Sequence, residues 1–510
     1  MKLNYTSVHI ILFLLSFILF LSAILYTPSF FYDLAQSLSA DGVCSSCHIE
    51  HFLLFRTFLY SLAFLSFFIS ILFYFCYNTI IENIKKLIQL FFTSKNLWFL
   101  LFSIGIILRF GLFLTTPPTM GYDNHIEEIL FIYENGVLPL PNECWECFHP
   151  PLYYLIGATG LQLFIPILSI SFYWKLLQFF SFSLSIATIY LIWRMLLLLF
   201  SSNKIRILCF SIAVFLPRSI YTGIMLSNDA LSIFFLTLFY YFLILYHKTK
   251  SNKLFFAVCF TACFGIVTKL SLLFIVPFFS LYLIFFEKQF TKKIITLFIF
   301  FLFVFFSLGP FLYNNYVHYG TLIVGPELFF EHTAGPYYTG IESITSFHFV
   351  HLLFHPIIHP TTETSFFTSI FADSWYDFNT VYVLVNSINY IFAPFIYILA
   401  LVPTLFFIFG LISSFFSSKD EMNYIFLFTF LFHIIFLITY FILTPVYSVK
   451  ASYLLGSMIA ILYFFGRGWI FIFSGRLLFK NYENYATIGL IALYGTIIIH
   501  FIVLMCSLVF

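Results

Sequence analysis

Long apolar runs separated by short polar loops dominate the chain. Ile10–Tyr26, Phe52–Tyr77, Leu97–Thr115 and Ile295–Tyr313 are clear examples, each supplying the roughly 20 apolar residues that cross a hydrocarbon core. A helix in lipid closes its backbone hydrogen bonds within itself, so this pattern predicts an all-α, polytopic transmembrane helical bundle. The basic residues fall mostly in the loops between runs. Lys85, Lys86 and Lys95 form one group, followed by Lys204 with Arg206, Lys248 with Lys250 and Lys253, and Lys288 with Lys292 and Lys293. Lys419, Arg467, Arg476 and Lys480 complete the set. Short basic loops face the cytoplasm, and placing all of these there predicts about 13 spans, with the N-terminus inside and the C-terminus outside.

That parity requires residues 116–175 to lie wholly outside, although they include the apolar run Leu152–Ile167. The run is therefore expected to form a helix along the outer membrane surface. A second large outer loop, 316–380, carries His, Pro, Thr, Asp and Trp in place of continuous apolar sequence. Four regions result: two N-terminal spans with their loop (1–96), a core with the first large outer loop (97–315), the second outer loop (316–380) and C-terminal spans (381–510). The apolar core of the first span exceeds the roughly 7 to 15 residues of a signal peptide, so it is read as a retained span.

Composition sharpens this reading. Hydrophobic residues make up 62% of the chain and charged residues only 9%, against roughly 25% charged in soluble domains. Each charge outside the basic loops therefore needs a reason. The 79 Phe residues do not supply a function, because Phe, Leu and Ile are nearly interchangeable against lipid. A net charge of +2 argues neither for nor against nucleic acid, since what matters is where the positive charges fall; membrane lipids are the expected surroundings, and no nucleic-acid partner is expected. Arg56, Arg109, Lys175, Arg194, Arg218, Lys269 and Lys450 lie away from the basic loops, most of them at or near outer span ends. Snorkelling explains such cations, and so does binding of anionic phosphate.

The first outer loop reads GYDNHIEEILFIYENGVLPLPNECWECFHPPLYYLIGA. Ile126, Ile129, Leu130 and Tyr133 predict a short amphipathic helix. Asp123 stands just before it as an expected N-cap, with Glu127 and Glu128 in the favourable first turn. A carboxylate where the chain leaves the bilayer can also act as general base on a lipid-borne substrate.

An Asp after an early span, then Gly136-Val137-Leu138-Pro139 and His149-Pro150-Pro151-Leu152-Tyr153-Tyr154, resembles the GT-C superfamily of polytopic glycosyltransferases. Ser227-Asn228-Asp229-Ala230-Leu231 looks like the NDA-type motif of bacterial members related to protein mannosyltransferases and the lipid A aminoarabinose transferase. Gly265–Pro277 looks like their G-x-x-TK segment, and Lys450–Leu454 is similar to a K/Q-G-R-YLLP segment, with Ser452 in place of Arg and Gly456 in place of Pro. The resemblance implies a site on the non-cytoplasmic face, where the charge count also puts Asp123, His149, Asp229, Lys269 and Lys450. It implies an inverting single displacement from a polyprenyl-phosphate sugar to a hydroxyl of a protein, glycan or lipid acceptor. Asp123 would be the base, Arg218, Lys269 and Lys450 would neutralise the departing phosphate, and His149 would point at it. Asp229, Tyr153, Tyr453 and Glu127 would contact donor or acceptor. No cofactor is required; a divalent cation between Asp123 and Asp229 is compatible with the pattern but not implied by spacing. The membrane would be the plasma (inner) membrane of a prokaryote or the endoplasmic reticulum of a eukaryote.

Cys44-Ser45-Ser46-Cys47-His48 matches the c-type haem attachment pattern, but the loop is short and occurs once. Cys144 and Cys147 form a second C-x-x-C pair. The two pairs fit disulfides, a tetrahedral zinc site or a cross-linked loop. Cys76, Cys209, Cys259, Cys263 and Cys506 read as small apolar residues. His348, His351, His355 and His359 recur every three or four residues, a spacing that could build a metal face, but with no acid interleaved and Pro356 and Pro360 interrupting the helix, acceptor contact or interfacial packing is expected ahead of a metal. Trp375 and Tyr376, in Ser369–Asp377, suit stacking on sugars or anchoring at the interface.

Two other functions compete. A transporter or flippase for a lipid-linked or small anionic substrate would place charges and Gly/Pro breaks mid-span in repeated halves, whereas these charges gather at one face. A redox protein would have to rest on the single C-x-x-C-H.

Overall fold

A computed structural model describes residues 96–325, 341–383, 388–416, 420–443, 450–474 and 482–509. The first two spans, Arg56, Cys44, Cys47, His48 and Cys76 lie outside the described residues, as do Lys85, Lys86, Lys95, Lys419, Arg476 and Lys480.

Among the described residues all regular structure is helical. The main helices are α1 (Leu97–Thr115), α2 (His125–Asn135), α3 (Leu152–Phe164), α4 (Ile170–Leu199), α5 (Asn203–Phe215), α6 (Asn228–Thr249) and α7 (Asn252–Ile266). They continue with α8 (Ile275–Phe286), α9 (Phe290–Tyr319), α10 (Phe366–Trp375), α11 (Phe392–Phe415), α12 (Glu421–Leu443), α13 (Met458–Ser474) and α14 (Glu483–Val509). Seven helices, α1, α4, α6, α9, α11, α12 and α14, are long and apolar enough to cross a membrane. The chain is a multi-pass membrane protein.

The sequence pattern alone predicts four more spans here, and the structure makes them shorter or broken. Leu216 is extended after α5, and Pro217 starts a separate turn, Pro217–Thr222, as suits a residue with no N–H to give. Helix α7 ends at Ile266, Lys269 is extended, and a 3-10 turn, Leu270–Phe274, leads into α8. Helix α13 is likewise short. The run at Leu152 forms α3, which ends at Phe164.

The helices run between two polar ends. At one end Lys204 pairs with Glu483 at 2.9 Å, His247 with Glu421 at 3.0 Å and Lys292 with Glu287 at 3.6 Å. Asp420 takes a hydrogen bond from Tyr463 Oη at 3.0 Å and faces Arg467 at 3.8 Å, while Trp469 Nε1 donates to Glu483 at 2.9 Å. Lys204, His247 and Arg467 thus meet acids from distant segments, while Lys292 pairs with Glu287 of its own connection. The opposite end carries Asp229 at the start of α6 and the residues described below.

The tightest helix contact is between α11 and α13. A Cβ on Gly410 would fall 1.7 Å from Phe464 O, and one on Gly468 would fall 1.8 Å from Phe406 O. Small residues let helices approach this closely where apolar surface alone gives little driving force in lipid. Arg109 is fully buried and bonds Ser185 Oγ at 3.1 Å, Gly105 O at 3.2 Å, Val214 O at 3.0 Å and Ser219 Oγ at 3.1 Å. It braces α1, α4, α5 and the Pro217 turn. Lys175 donates to Phe113 O at 2.5 Å and Thr116 O at 2.8 Å, satisfying carbonyls at the end of α1. Neither cation is free to take a phosphate.

Candidate functional site

Helix α2 begins at His125 with Asn124 at its N-cap and no side-chain capping bond. Asp123 is therefore not the cap that its position suggested; its carboxylate accepts a hydrogen bond from Lys450 Nζ at 2.5 Å, across 327 positions of sequence. The inward face of α2 is His125, Glu128, Ile129 and Ile132. Glu127 points outward and is exposed, so the acid that α2 buries is Glu128. Burial, and then the nearby Glu146, push the Glu128 carboxyl well above the usual range, while a bond from Tyr154 acts the other way.

The NDA segment is built by local capping. Ser227 is extended, and its Oγ accepts from Asp229 N at 3.3 Å; Ser232 Oγ donates to Asp229 O at 2.9 Å. This fixes Asp229 in the first turn of α6, where a carboxylate is favoured by the helix dipole. Lys269 donates to Asp229 Oδ1. Its extended backbone at the break after α7 lets the ammonium leave the helix axis, and Nζ also lies 4.8 Å from the Tyr453 ring centre.

A third pair completes the cluster. Arg218 Nη1 donates to Asp373 Oδ1 at 3.0 Å and to Tyr122 Oη, and its guanidinium lies 4.2 Å over the Tyr122 ring. Asp373 also accepts from Asn379 Nδ2 at 3.0 Å and from Ala451 N at 2.6 Å. One buried carboxylate thus ties Arg218, the second outer loop and the segment bearing Lys450 together. Lys450 Nζ is 5.1 Å from the Tyr122 ring centre, so Tyr122 contacts both cations.

Burial alone would raise the Asp123 carboxyl, but Lys450 first, then His125 and Lys269, bring it down to about 2. Asp123 keeps 27% of its side-chain surface exposed, against 12% for Asp229 and none for Asp373. It is the accessible carboxylate of the three.

His149 stands at the margin. Its Nε2 is 2.9 Å from Glu146 Oε2, its ring is 6.3 Å from that of His125, and His125 Nδ1 is 2.9 Å from Tyr154 Oη. Tyr153 is wholly buried, its ring 6.2 Å from that of His125. Leu152 N donates to Val267 O at 3.1 Å, so the HPPLYY and G-x-x-TK segments are joined through backbone. Cys144 and Cys147 form a disulfide, which leaves no thiolate there for zinc. A cavity of about 910 Å³ opens beside His149, Glu128 and Cys147. Its wall is mainly apolar, with Leu155, Phe260, Phe264, Phe303 and Phe306 among the lining, and Asn314 and Asn315 adding polar groups.

Asp123, Lys450, Asp229, Lys269 and Arg218 therefore come together, with Tyr453 against Lys269 and His149 nearby. Glu127 stays apart. Arg194 lies at the surface beside Tyr190. Sequence reasoning missed Tyr122, His125, Glu128, Glu146 and Asp373. The signal was the rarity of charge: an Asp or Glu in an outer loop of a chain only 9% charged needs a partner. Trp375 and Tyr376, expected to stack on sugars or anchor at an interface, are 6% and 0% exposed. They pack internally, Tyr376 5.1 Å from the His500 ring and 6.1 Å from that of Tyr397.

Each of the two carboxylates proposed to share a divalent cation, Asp123 and Asp229, is engaged by a lysine. Compared with known proteins, the chain matches no family model and no curated protein.

Proposed function

We propose that the protein transfers a sugar from a polyprenyl-phosphate carrier to an acceptor hydroxyl, with inversion, at the polar end that holds Asp123. The observation that carries this reading is the accessible Asp123–Lys450 pair set among Asp229–Lys269 and Arg218–Asp373. An acid and several cations close together fit a reaction in which a hydroxyl proton is removed while phosphate leaves with its charge. The mainly apolar cavity beside His149 suits a hydrocarbon chain whose phosphate end reaches the cations. The resemblance to GT-C enzymes agrees with this assignment, and the positive-inside tendency of the basic loops favours a non-cytoplasmic site.

In the step itself, the acceptor oxygen bonds to the anomeric carbon as the bond from that carbon to the phosphate oxygen breaks. Asp123 takes the hydroxyl proton, and the electron pair leaves with the lipid phosphate. A carboxyl held near 2 by Lys450 is a weak base. An arriving phosphate competes for Lys450, and any loosening of the ion pair raises the basicity of Asp123 as the donor binds. Arg218, anchored to Asp373, stays in place, while Lys450 and Lys269 serve as the adjustable charges. The acceptor can be a protein, glycan or lipid.

The test is transfer of radiolabelled sugar from a panel of polyprenyl-phosphate sugars by purified protein, comparing wild type with Asp123→Asn. Asparagine keeps the size and removes the base. Transfer by the wild type and a loss of at least ~100-fold in the folded variant is expected. Unchanged transfer in the variant places the base elsewhere, and no transfer from any donor favours translocation of a lipid-linked substrate.

A further inference from the structure

Three histidines outside the acid–cation cluster meet in the second outer loop. The helix Phe349–Phe354 ends at His355, whose φ of −126° and ψ of 79° have left the helical region. Pro356 follows, and a residue before proline is driven out of the α conformation. The chain then turns back, held by Tyr397 Oη donating to Pro356 O at 2.7 Å and Ile358 N donating to Phe378 O at 2.8 Å.

The turn changes what the histidine spacing means. On an unbroken helix, His351 and His359 would stand about 12 Å apart along the axis. Here the ring centres of His351, His355 and His359 lie 4.6 to 4.7 Å from one another. His351 Nε2 and His359 Nδ1 are 3.0 Å apart. One nitrogen from each ring falls within 4.8 Å of the other two. A tetrahedral zinc ion with bonds of 2.0 to 2.1 Å spaces its nitrogens about 3.4 Å apart, a small ring rotation from this arrangement. Prolines that interrupt the helical rhythm are what gather the rings.

We infer that His351, His355 and His359 bind one divalent transition-metal ion of the zinc and copper class. Three imidazoles, grouped among the described residues without a carboxylate or thiolate, suit these borderline ions better than magnesium or calcium, which take oxygen ligands. All three side chains are half-buried, and three protein ligands would leave a tetrahedral ion one position for water. The ion would clamp the loop to the outer end of α11 through the Tyr397–Pro356 bond. The inference is independent of sugar transfer and is tested without it.

The full-length protein, purified in detergent, is stripped with chelator, titrated with Zn²⁺, and its bound metal counted by mass spectrometry. One zinc per chain is expected, retained in Asp123→Asn and in the double variant Cys144→Ser, Cys147→Ser. It should be lost in the triple variant His351→Gln, His355→Gln, His359→Gln and held more than ~10-fold more weakly in His355→Gln. Zinc retained at full stoichiometry by the triple variant overturns the site, as does the absence of stoichiometric zinc in the wild type. Should the triple variant not fold, Cu²⁺ bound to the wild type decides by electron paramagnetic resonance. Coupling to three imidazole nitrogens supports the site, and coupling to fewer reduces it to a hydrogen-bonded histidine group.

Discussion

Lys450 has two jobs in the proposed chemistry, and they oppose each other. As the partner of Asp123 it holds that carboxyl down to about 2 against the upward push of burial; as a cation it is available to the leaving phosphate. Replacing it by glutamine removes both effects while leaving the base in place. With the ammonium gone, burial dominates and the Asp123 carboxyl rises. The rate of sugar transfer by Lys450→Gln is therefore expected to fall by ~100-fold or more, with the acid limb of its pH profile displaced to higher pH. Stability follows the same sign. A carboxyl lowered on folding contributes stability above its ordinary value of 3.8 and loses it as pH falls towards 2, so the wild type should show an acid-dependent loss of melting temperature in that window that the variant lacks. A lowered rate with an unmoved acid limb would remove Asp123 from the role of base. At this scale the sequence singled out five of the charged residues that the fold brings together. Asp123, Asp229, Lys269 and Lys450 each stood in a segment with a recognisable pattern, and Arg218 stood among the cations away from the basic loops; Asp373 meets Arg218 and Ala451 only when distant segments come together, whereas Glu146 pairs locally with His149, three residues on.

Among elements, the long helices were legible because an apolar run of full span length has few alternatives in lipid. The broken ones were not. Composition across Lys269 is as apolar as in a continuous helix, and only the fold reveals that the break there delivers the lysine to Asp229. Close packing was equally hidden, since Gly410 and Gly468 lie in separate helices far apart in sequence. Their positions make a sharp comparison with Gly495, around which a Cβ would meet nothing within 4 Å. The same change, Gly to Ala, should act in opposite directions. Gly468→Ala drives a methyl against the backbone of Phe406 and is expected to cost about 1 to 3 kcal/mol or more. Gly495→Ala is expected to be neutral or stabilising by up to about 1 kcal/mol, from helix propensity alone. Thermal unfolding of the purified variants reads both, and equal melting temperatures would mean that α11 and α13 are not packed this closely.

For the whole molecule, the placement of charge and the placement of the site are two observations from different parts of the chain that have to agree. Basic loops far apart in sequence share one end with Glu287, Asp420, Glu421 and Glu483, and the Asp123 cluster occupies the other. If the basic end is cytoplasmic, as the positive-inside tendency requires, the cluster meets its substrates outside, where a lipid-linked donor would present its sugar. Single cysteines at Asn135 and Lys288, both exposed, report on the two ends when placed one at a time in a Cys506→Ser background. In intact cells a membrane-impermeant maleimide should label Asn135→Cys without treatment and Lys288→Cys only after permeabilisation, with the background chain setting the blank. Reversed labelling would put the cluster in the cytoplasm, where donors are soluble nucleotide sugars, and the lipid-linked reading would fail with the topology. Tyr319 Oη, at the far end of α9, donates to Asn142 Oδ1 at 2.7 Å beside the Asn135 turn, so labelling of both from outside would mean that α9, which begins just beyond Lys288, does not carry the chain from one face to the other. A 30-residue helix whose most apolar 18 residues have a mean hydropathy of 2.5 spans lipid far more readily than it lies in water, so opposite accessibility is the expected result.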